Sequence, residues 1–355
     1  MKGIILHGGH GTRLRPLTHT GPEQLLPIAN KPMSQYGLES IRDAGITEIA
    51  IIIGGIGSKK VKEYYGDGSK FGVKISYVEQ DEPKGIAHAI LLCKEFIGNE
   101  KFLTFLGDNI LLDDITEYVK NFEKSDADAS IVLCKVDNPT RFGIADVKEG
   151  IITKIVEKPK NPSSNLAVIG VYLLKPKIFE AIKRLKPSWR NELEITDTLQ
   201  MMLEEKQKII YNTVESNWKD TGTPEDIIQA NNIILNKMSP IFEGKKENNV
   251  EISGNIIVGA NSILKEGCKI ISPVIIGKNC IIDENCIIGP NTSIGDNSKI
   301  SNSNIQNSII MKNCKIDYGG KIKDSIISNE SEITQNKDNK NSKIFLLGEG
   351  TKISL

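Results

Sequence analysis

The stretch LHGGHGTRLRPLTHTGPEQLLP, from Leu6 to Pro27, decides the fold of this chain. It follows a short apolar run, residues 3–6, that is typical of a buried β-strand. Glycines at positions 8, 9 and 11 let the backbone approach a ligand closely, and successive free N–H groups there suit phosphate oxygens. Arg13 and Arg15 add guanidinium groups that match phosphate geometry. The stretch therefore indicates an anion-binding loop after the first strand.

A glycine-rich loop taken alone could also be a simple turn. No Gly-Lys-Ser/Thr ends this one and the Gly-x-Gly-x-x-Gly spacing is absent, so it is neither a P-loop nor a dinucleotide fingerprint. The whole string instead resembles the signature of sugar-1-phosphate nucleotidylyltransferases, GGxGTRLRPLT followed by PKQLLP. It is most similar to the long form of glucose-1-phosphate thymidylyltransferase. One residue departs from that pattern, because Glu23 stands where the family carries lysine.

The composition limits the classes of function. The chain has 355 residues, enough for about two domains. Its 45 basic and 45 acidic residues balance, which argues against a basic nucleic-acid-binding surface. The sequence shows no signal-peptide pattern and no apolar run long enough to span a membrane, and its 6 cysteines form no CxxC pair. We therefore expect a cytoplasmic protein with free thiols that binds neither a nucleic-acid polymer nor a membrane.

Residues 1–240 alternate apolar strands with amphipathic helices. Strands are predicted over residues 3–6, 48–53, 74–78 and 102–106, with helices over 34–44, 58–65 and 86–95. This alternation predicts an α/β domain with a mixed, mostly parallel sheet whose ligand site lies at the carboxyl ends of the strands. Residues 129–174 are rich in strands, as in a smaller lobe over a substrate. By resemblance, this is a Rossmann-like nucleotidyltransferase catalytic domain.

The amino-acid composition changes near Asn249, and aromatic residues are rare after it. An aliphatic residue then recurs at every sixth position: Val258, Leu264, Ile270, Ile276, Ile282, Ile288, Ile294 and Ile300. A six-residue repeat predicts a parallel β-helix over residues 245–355, with a phase slip at 301–306. The pattern resembles the left-handed β-helix of hexapeptide-repeat proteins. Its open coil ends and one apolar coil face predict a homo-oligomer.

Two aspartates are candidate metal ligands. Asp108 follows an apolar strand in FLGDN, and Asp220 lies in WKDTGTPED before a predicted helix. The alternative is that Asp108 is a turn residue and Asp220 a helix cap. Both match the metal-binding aspartates of the resembled family, and a pair of carboxylates suits Mg²⁺. The resemblance therefore implies that they hold Mg²⁺ at the α-phosphate of a nucleoside triphosphate.

The resemblance also implies the remaining site residues. For the nucleotide they are Leu6, Gly8, Gly9, Gly11, Thr12, Arg13, Gln24, Gln80 and Gly85. For the sugar phosphate they are Asn109, Gly143, Glu157, Lys158 and Tyr172. The alternative is that Glu157 and Lys158 are an exposed ion pair and that Tyr172 is an ordinary core residue. A glutamine side chain donates and accepts, which fits the paired N–H and carbonyl edge of thymine or uracil. Arg13, Lys158 and position 23 are the candidate catalytic positions.

Glu23 places a negative charge where the family lysine neutralises phosphates in the transition state. Charge stabilisation is usually the largest contribution to such a reaction. Three explanations compete: an engineered inactive variant, a natural paralogue with weak activity, or a neighbouring lysine such as Lys31 that replaces the missing charge. Lys31 belongs to an NKP segment that the family also has, which disfavours the third explanation.

The favoured function is transfer of a nucleotidyl group from dTTP or UTP to glucose-1-phosphate, giving dTDP-glucose and pyrophosphate when dTTP is used. The alternative is a catalytically weak nucleotide-sugar-binding or regulatory paralogue, which Glu23 favours. An acyltransferase site in the β-helix would need a histidine as general base. All 4 histidines (His7, His10, His19 and His88) precede the repeat, so the β-helix is interpreted as an assembly and stability element. The segment NELEITD, which starts at Asn191, is likewise assigned to structure.

Overall fold

The computed structural model of the protein describes residues 1–7, 11–55, 57–215 and 217–334. The chain forms two compact units. The first comprises Met1–Gly11, Thr18–Leu25 and Met33–Asp220, and the second comprises Thr12–Leu17, Leu26–Pro32 and Thr221–Leu355. Two short parts of the signature stretch thus belong to the same unit as the C-terminal region. The boundary between domains at residues 240–245 stays a prediction.

The described residues before the repeat region form thirteen strands and eight α-helices. The strands are β1 (Lys2–Leu6), β2 (Pro27–Ile28), β3 (Lys31–Pro32), β4 (Glu48–Ile53), β5 (Lys74–Glu79), β6 (Phe102–Leu106), β7 (Asn109–Leu111), β8 (Ala129–Lys135), β9 (Gly143–Lys148), β10 (Ile151–Glu157), β11 (Leu166–Leu174), β12 (Ile209–Val214) and β13 (Trp218–Asp220). The helices are α1 (Met33–Asp43), α2 (Ser58–Tyr65), α3 (Ile86–Leu92), α4 (Lys94–Ile97), α5 (Thr116–Lys124), α6 (Ile178–Ile182), α7 (Ile195–Glu204) and α8 (Pro224–Lys237).

The first unit contains a 9-stranded sheet with β1 near its centre. The order is β10-β9-β11-β6-β1-β4-β5, and β8 and β12 extend the sheet from β11. β1 pairs in parallel with both β4 and β6, and β4 pairs in parallel with β5. β11 is antiparallel to β6, β8 and β9. The predicted α/β fold with a mixed sheet is confirmed.

Successive side chains of β1 point to opposite faces of the sheet, and helices cover both faces. Ile4 and Leu6 pack with residues of α3, α6 and α7, while Ile5 packs with residues of α1, α2 and α5. A strand buried on both faces must be apolar throughout, as residues 3–6 are. The helix predicted over 86–95 is interrupted, because the Cys93 backbone (φ −84°, ψ 5°) leaves α-helical geometry and its N–H bonds to the Ile90 carbonyl over 3.0 Å.

The repeat region forms three parallel sheets, each built from one strand per coil. They run β14-β17-β20-β23-β26-β29, β15-β18-β21-β24-β27-β30 and β16-β19-β22-β25-β28. Their strands are β14 (Ile241–Phe242), β15 (Lys245–Lys246), β16 (Glu251–Ser253), β17 (Ile256–Val258), β18 (Ile263–Leu264), β19 (Lys269–Ile271), β20 (Val274–Ile276), β21 (Ile281–Ile282), β22 (Ile287–Ile288), β23 (Thr292–Ile294), β24 (Lys299–Ser301), β25 (Asn304–Gln306), β26 (Ile309–Ile310), β27 (Lys315–Asp317), β28 (Lys321–Lys323), β29 (Ile326–Ile327) and β30 (Glu332–Thr334). All eight aliphatic positions of the predicted repeat are buried in its core. These sheets confirm the predicted parallel β-helix.

An asparagine ladder marks the corners of the coils and locates the phase slip. Asn261, Asn279, Asn297 and Asn313 all have positive φ, which asparagine tolerates better than most residues. The side-chain N–H₂ group of each asparagine donates to the side-chain oxygen of the next asparagine in the ladder. The sequence separation between partners is 18 residues in the first two bonds and 16 in the third. The slip is therefore a shortened coil, and Ile305 still fills the core.

One outward row of the β-helix is apolar and is covered by the chain itself. Ile275, Ser293 and Ile309 stand in register on adjacent coils, point away from the core and are nonetheless buried. Helix α8 of the same unit lies on this row, where Asn231 bonds to Ser293. This row is thus occupied within the chain, and the homo-oligomer stays a prediction. Among the described residues, no helix is long and apolar enough to cross a membrane.

Substitution of the two neighbouring isoleucines in β21 tests which positions of the repeat face the core. Ile282 is fully buried, whereas Ile281 points outward and is half-buried. We expect Ile282→Ala to lower the free energy of unfolding by about 2–4 kcal/mol, because it leaves a cavity between coils. The matched change Ile281→Ala should cost less than about 1 kcal/mol. Urea unfolding followed by circular dichroism measures both, and equal losses would contradict the assigned phase.

Candidate active site

Asp220 lies on a two-stranded ladder, and Asp108 lies in the turn directly before the other strand of that ladder. Strands β7 and β13 are antiparallel, and their register sets Asp220 opposite Asn109. The Asn109 amide donates to Asp108 Oδ1 over 2.9 Å, and Trp218 Nε1 donates to Asn109 Oδ1 over 2.6 Å. The two predicted metal ligands are therefore brought into one neighbourhood, with Asn109 held between Asp108 and Trp218.

Arg141 is a site residue that the sequence analysis missed. Its Nη2 donates to Asp220 Oδ2 over 3.3 Å, and Phe142 packs edge-on against Trp218. A lone arginine before Gly143 carries no sequence signal for this contact. Within the described part of the chain, no three His, Cys, Asp or Glu side chains cluster as a ready-made metal site. A cation here would take carboxylate oxygens from the aspartate pair and its remaining ligands from elsewhere.

Gly143 and Glu157 lie together on the paired strands β9 and β10. Thr196 donates from Oγ1 to Glu157 Oε2 over 3.0 Å. A Cβ atom on Gly143 would lie 2.5 Å from Thr196 Cγ2 and 3.1 Å from Glu157 Oε2. Glycine is thus required at 143 for this pair to form. Lys158, with φ +42°, places its Nζ 3.8 Å from Glu157 Oε1.

Arg190 joins the predicted sugar site and lies directly before NELEITD, the segment that was assigned to structure. Its guanidinium lies 3.6 Å from Glu157, 2.9 Å from Glu192 and 3.3 Å from Glu194. Burial, reinforced by the Glu194 charge, raises the pKa of Glu157, while Lys158, Thr196 and Arg190 oppose that rise. The signal that could have identified this residue is its position directly before NELEITD.

Tyr172 lies in β11 and is 3% exposed. Its pKa is raised first by burial and then by the charges of Glu157, Asp108 and Glu194. The phenol is therefore held in its neutral form.

Gln80 and Gly85 lie together beyond the end of β5. Gln80 is 7% exposed, and its Nε2 lies 3.0 Å from His88 Nδ1 and 3.4 Å from the Gly85 carbonyl. Gly85 has φ +100°, and a Cβ there would lie 2.5 Å from the Leu193 carbonyl oxygen. The segment NELEITD, which follows Arg190, thus packs against the glycine predicted beside the base.

Glu23 and Gln24 lie buried in a short 3₁₀ turn, Glu23–Leu25. Gln24 Nε2 is 3.4 Å from Glu23 Oε1, and the Glu23 carboxylate faces Gly11, whose added Cβ would lie 3.2 Å from Oε2. Gly107, bonded through its N–H to the Leu6 carbonyl over 3.0 Å, packs against Gln24. Leu6, Glu23 and Gln24 thus gather around the carboxyl end of β1.

Four predicted nucleotide-binding residues are not among those described above in the first unit. Gly8 and Gly9 lie outside the described residues. Thr12 and Arg13 belong to the second unit, in the 3₁₀ turn Thr12–Leu14. There the Arg13 guanidinium lies against Gly222, 2.8 Å from the position of an added Cβ. Lys31, the lysine considered as a replacement charge, is in β3 of the same unit.

Family models match both parts of the chain. One described as nucleotidyl transferase matches residues 2–237, and one described as the GMPPB C-terminal domain matches residues 270–354. The chain belongs to the nucleotidyl transferase family. This nucleotidyltransferase therefore has the catalytic architecture of its family in residues 2–237, where all of the predicted site residues lie.

Relatives match the chain over nearly its whole length. The low-salt glycan biosynthesis nucleotidyltransferase Agl11 of Haloferax volcanii is 42% identical over 94% of both chains. A glucose-1-phosphate thymidylyltransferase of Streptomyces antibioticus is 38% identical over 100% of this chain and 99% of its own. A solved UDP-glucose pyrophosphorylase with UDP-glucose is 31% identical, covers 67% of this chain and 99% of its own, and has a TM-score of 0.61.

The raised pKa of Glu157 can be tested directly. We expect its carboxyl to protonate at higher pH than an ordinary glutamate, because burial and Glu194 disfavour the charged form. Arg190→Ala should raise this pKa further, since Arg190 opposes the shift. Titration of ¹³C-labelled glutamate by NMR, assigned with Glu157→Gln, measures both values. Glu205, whose pKa is lowered by its bond to Arg184, is the internal control. An unchanged pKa in the Arg190 variant would contradict the charge network.

Proposed function

We propose that this nucleotidyltransferase joins a nucleoside triphosphate, dTTP or UTP, to glucose-1-phosphate. A phosphate oxygen of the sugar phosphate forms a bond to the α-phosphorus, the bond from that phosphorus to the bridging oxygen breaks, and pyrophosphate leaves. The proposal rests chiefly on one observation: the β7–β13 register that sets Asp220 opposite Asn109 beside Asp108. The enzyme's task in such a transfer is to position the reactants and neutralise charge.

Asp108 and Asp220 are the residues proposed to hold Mg²⁺. Carboxylate oxygens from Asp220 on the ladder and from Asp108 directly before it fit this cation. When bound, it supplies positive charge to phosphate oxygens. Arg141 already engages Asp220, so it helps to balance negative charge in this cluster. Lys158 is proposed to bind the sugar phosphate and Glu157 to accept hydrogen bonds from sugar hydroxyls. Gly143, Asn109 and Tyr172 are proposed to contribute to the same sugar-phosphate site.

Gln80 and Gln24 are proposed to bind the edge of the base, and Gly85 is proposed to pack beside it. An amide donor and acceptor fit the N–H and carbonyl edge of thymine or uracil. Both glutamine side chains are buried in the first unit. The relatives support a sugar-1-phosphate as co-substrate, because two of them are a glucose-1-phosphate thymidylyltransferase and a UDP-glucose pyrophosphorylase. The product is an activated sugar for biosynthesis.

A second candidate function is a nucleotide-sugar-binding protein with weak turnover. Its support is Glu23, a buried carboxylate that faces Gly11 in the signature loop. A negative charge there opposes phosphate binding and opposes the charge that develops in the transition state. The two candidates share one pocket and differ in kcat.

A pyrophosphate-release assay tests the proposal. Four triphosphates, dTTP, UTP, ATP and GTP, are each combined with several sugar-1-phosphates in the presence of Mg²⁺. We expect the fastest release with a pyrimidine triphosphate and glucose-1-phosphate. Asp108→Asn should abolish metal-dependent release, whereas Asp114→Asn, which changes an exposed carboxylate at the start of α5, should not. Release in every combination at the same rate, or full activity of the Asp108 variant, would refute the proposal.

Reversal of the charge at position 23 separates the two candidates. Glu23→Lys should raise kcat by about a hundredfold or more if this lysine resembles other charge-stabilising groups. The change in KM should be smaller, because base and sugar contacts involve other residues. Glu23→Gln, which removes the charge without reversing it, should give an intermediate kcat. If the natural chain already turns over at about 1–10³ s⁻¹ and the lysine variant is no faster, the weak-binding candidate loses its support.

A further inference from the structure

A short hairpin of the second unit directly continues the Glu23–Leu25 turn. It consists of β2 and β3, joined by Ala29 and Asn30. Both turn residues have positive φ, +47° and +64°, and alanine rarely adopts this conformation. The surroundings must therefore hold the turn in place.

Asn231 of α8 supplies one of these restraints. It is fully buried, and its Oδ1 accepts two hydrogen bonds, from the Ala29 N–H over 2.9 Å and from Ser293 Oγ over 2.6 Å. Asn30 supplies the other, because its Nδ2 donates to the Ile294 carbonyl of the β-helix over 2.7 Å. The turn is thus bonded to α8 and to strand β23 at the same time.

Ser293 departs from its own repeat. Its register neighbours on the adjacent coils are Ile275 and Ile309, and all three positions are buried. Packing alone favours an aliphatic residue in this row, since a buried hydroxyl costs free energy unless it is hydrogen-bonded. The hydroxyl of Ser293 is satisfied by Asn231. Ser293 is therefore explained by its hydrogen bond to Asn231 of α8, which also bonds to the hairpin, and not by packing between coils.

We propose that Asn30, Asn231 and Ser293 form a clamp by which the β-helix fixes the β2–β3 hairpin and, through the continuous chain, the Glu23–Leu25 turn that precedes it. The three are positioning residues, because only Leu26 stands between that turn and the hairpin. This rests on the proposed function of the first unit. The β-helix then contributes to turnover as well as to stability. A displacement of a substrate-binding loop by about 1 Å can lower a rate by roughly a hundredfold.

The clamp is tested with two substitutions in the full chain. Ser293→Ala removes one bond to Asn231, and Asn30→Gly removes the bond to Ile294 while glycine keeps the positive φ. Matched controls are Ser308→Ala, a fully buried serine whose hydroxyl bonds to the Gln306 carbonyl, and Asn279→Gly, a ladder asparagine with φ +54°. Ser293→Thr, which keeps a hydroxyl, is the conservative rescue.

We expect both clamp variants to lower kcat by about tenfold or more and to speed amide hydrogen exchange at Ala29. The controls should lose comparable thermal stability while keeping kcat, and the threonine variant should recover most of the activity. Unchanged kcat with faster Ala29 exchange would overturn the proposal, as would unchanged exchange in the Ser293→Ala variant.

A separate readout distinguishes failure of the clamp from failure of the proposed function. If the natural chain releases no pyrophosphate from any substrate pair, the proposed function is wrong. The clamp is then judged by the dissociation constant of dTTP from calorimetry. Ser293→Ala should raise it about tenfold relative to Ser308→Ala. Equal dissociation constants in the two variants would overturn the clamp.

Discussion

The parallel pairing of β1 with β4 and β6 is the constraint on which the catalytic unit depends. Because parallel strands present their carboxyl ends at one edge, Leu6, Leu106 and the end of β5 are fixed at the same edge of the sheet. Signature residues after β1, Asp108 after β6 and Gln80 after β5 then follow from chain continuity. Burial of both faces of β1 makes this arrangement stable, since any shift of one strand would expose its aliphatic side chains.

Acidic and basic side chains lie close together at the edge that these strands create. Asp108 directly precedes the ladder that carries Asp220, Glu157 and Glu194 share Arg190, and Glu23 lies beside Gly11. Burial first, and then the Glu194 charge, raise the pKa of Glu157, while Lys158, Thr196 and Arg190 oppose that rise. Bound phosphates add more negative charge. The chemistry of the site therefore depends on how many cations reach it, and for this reason one residue, Glu23, bears on the choice between catalysis and binding.

The repeat of the β-helix provides both a core, through its inward positions, and a contact surface for α8, through its outward positions. Its inward positions are uniformly aliphatic and hold the coils together. Its outward positions are free to vary, and one row is apolar because α8 covers it. Ser293 interrupts that row at the point where Asn231 approaches. Within the second unit, the contact with α8 gives this row an intramolecular role.

The sequence by itself determined the features that rest on local or periodic contacts. The six-residue phase of the β-helix, the buried strand before the signature loop and the alternation of the α/β region follow from spacing alone, because each residue's neighbours lie at fixed offsets along the chain. Tertiary structure alone decided which distant residues meet. Asp220 reaches Asp108 through the β7–β13 register, Arg190 reaches Glu157 across a loop, and Asn231 reaches Ala29 across 202 residues. Such contacts depend on long-range packing and strand register, which no local pattern encodes.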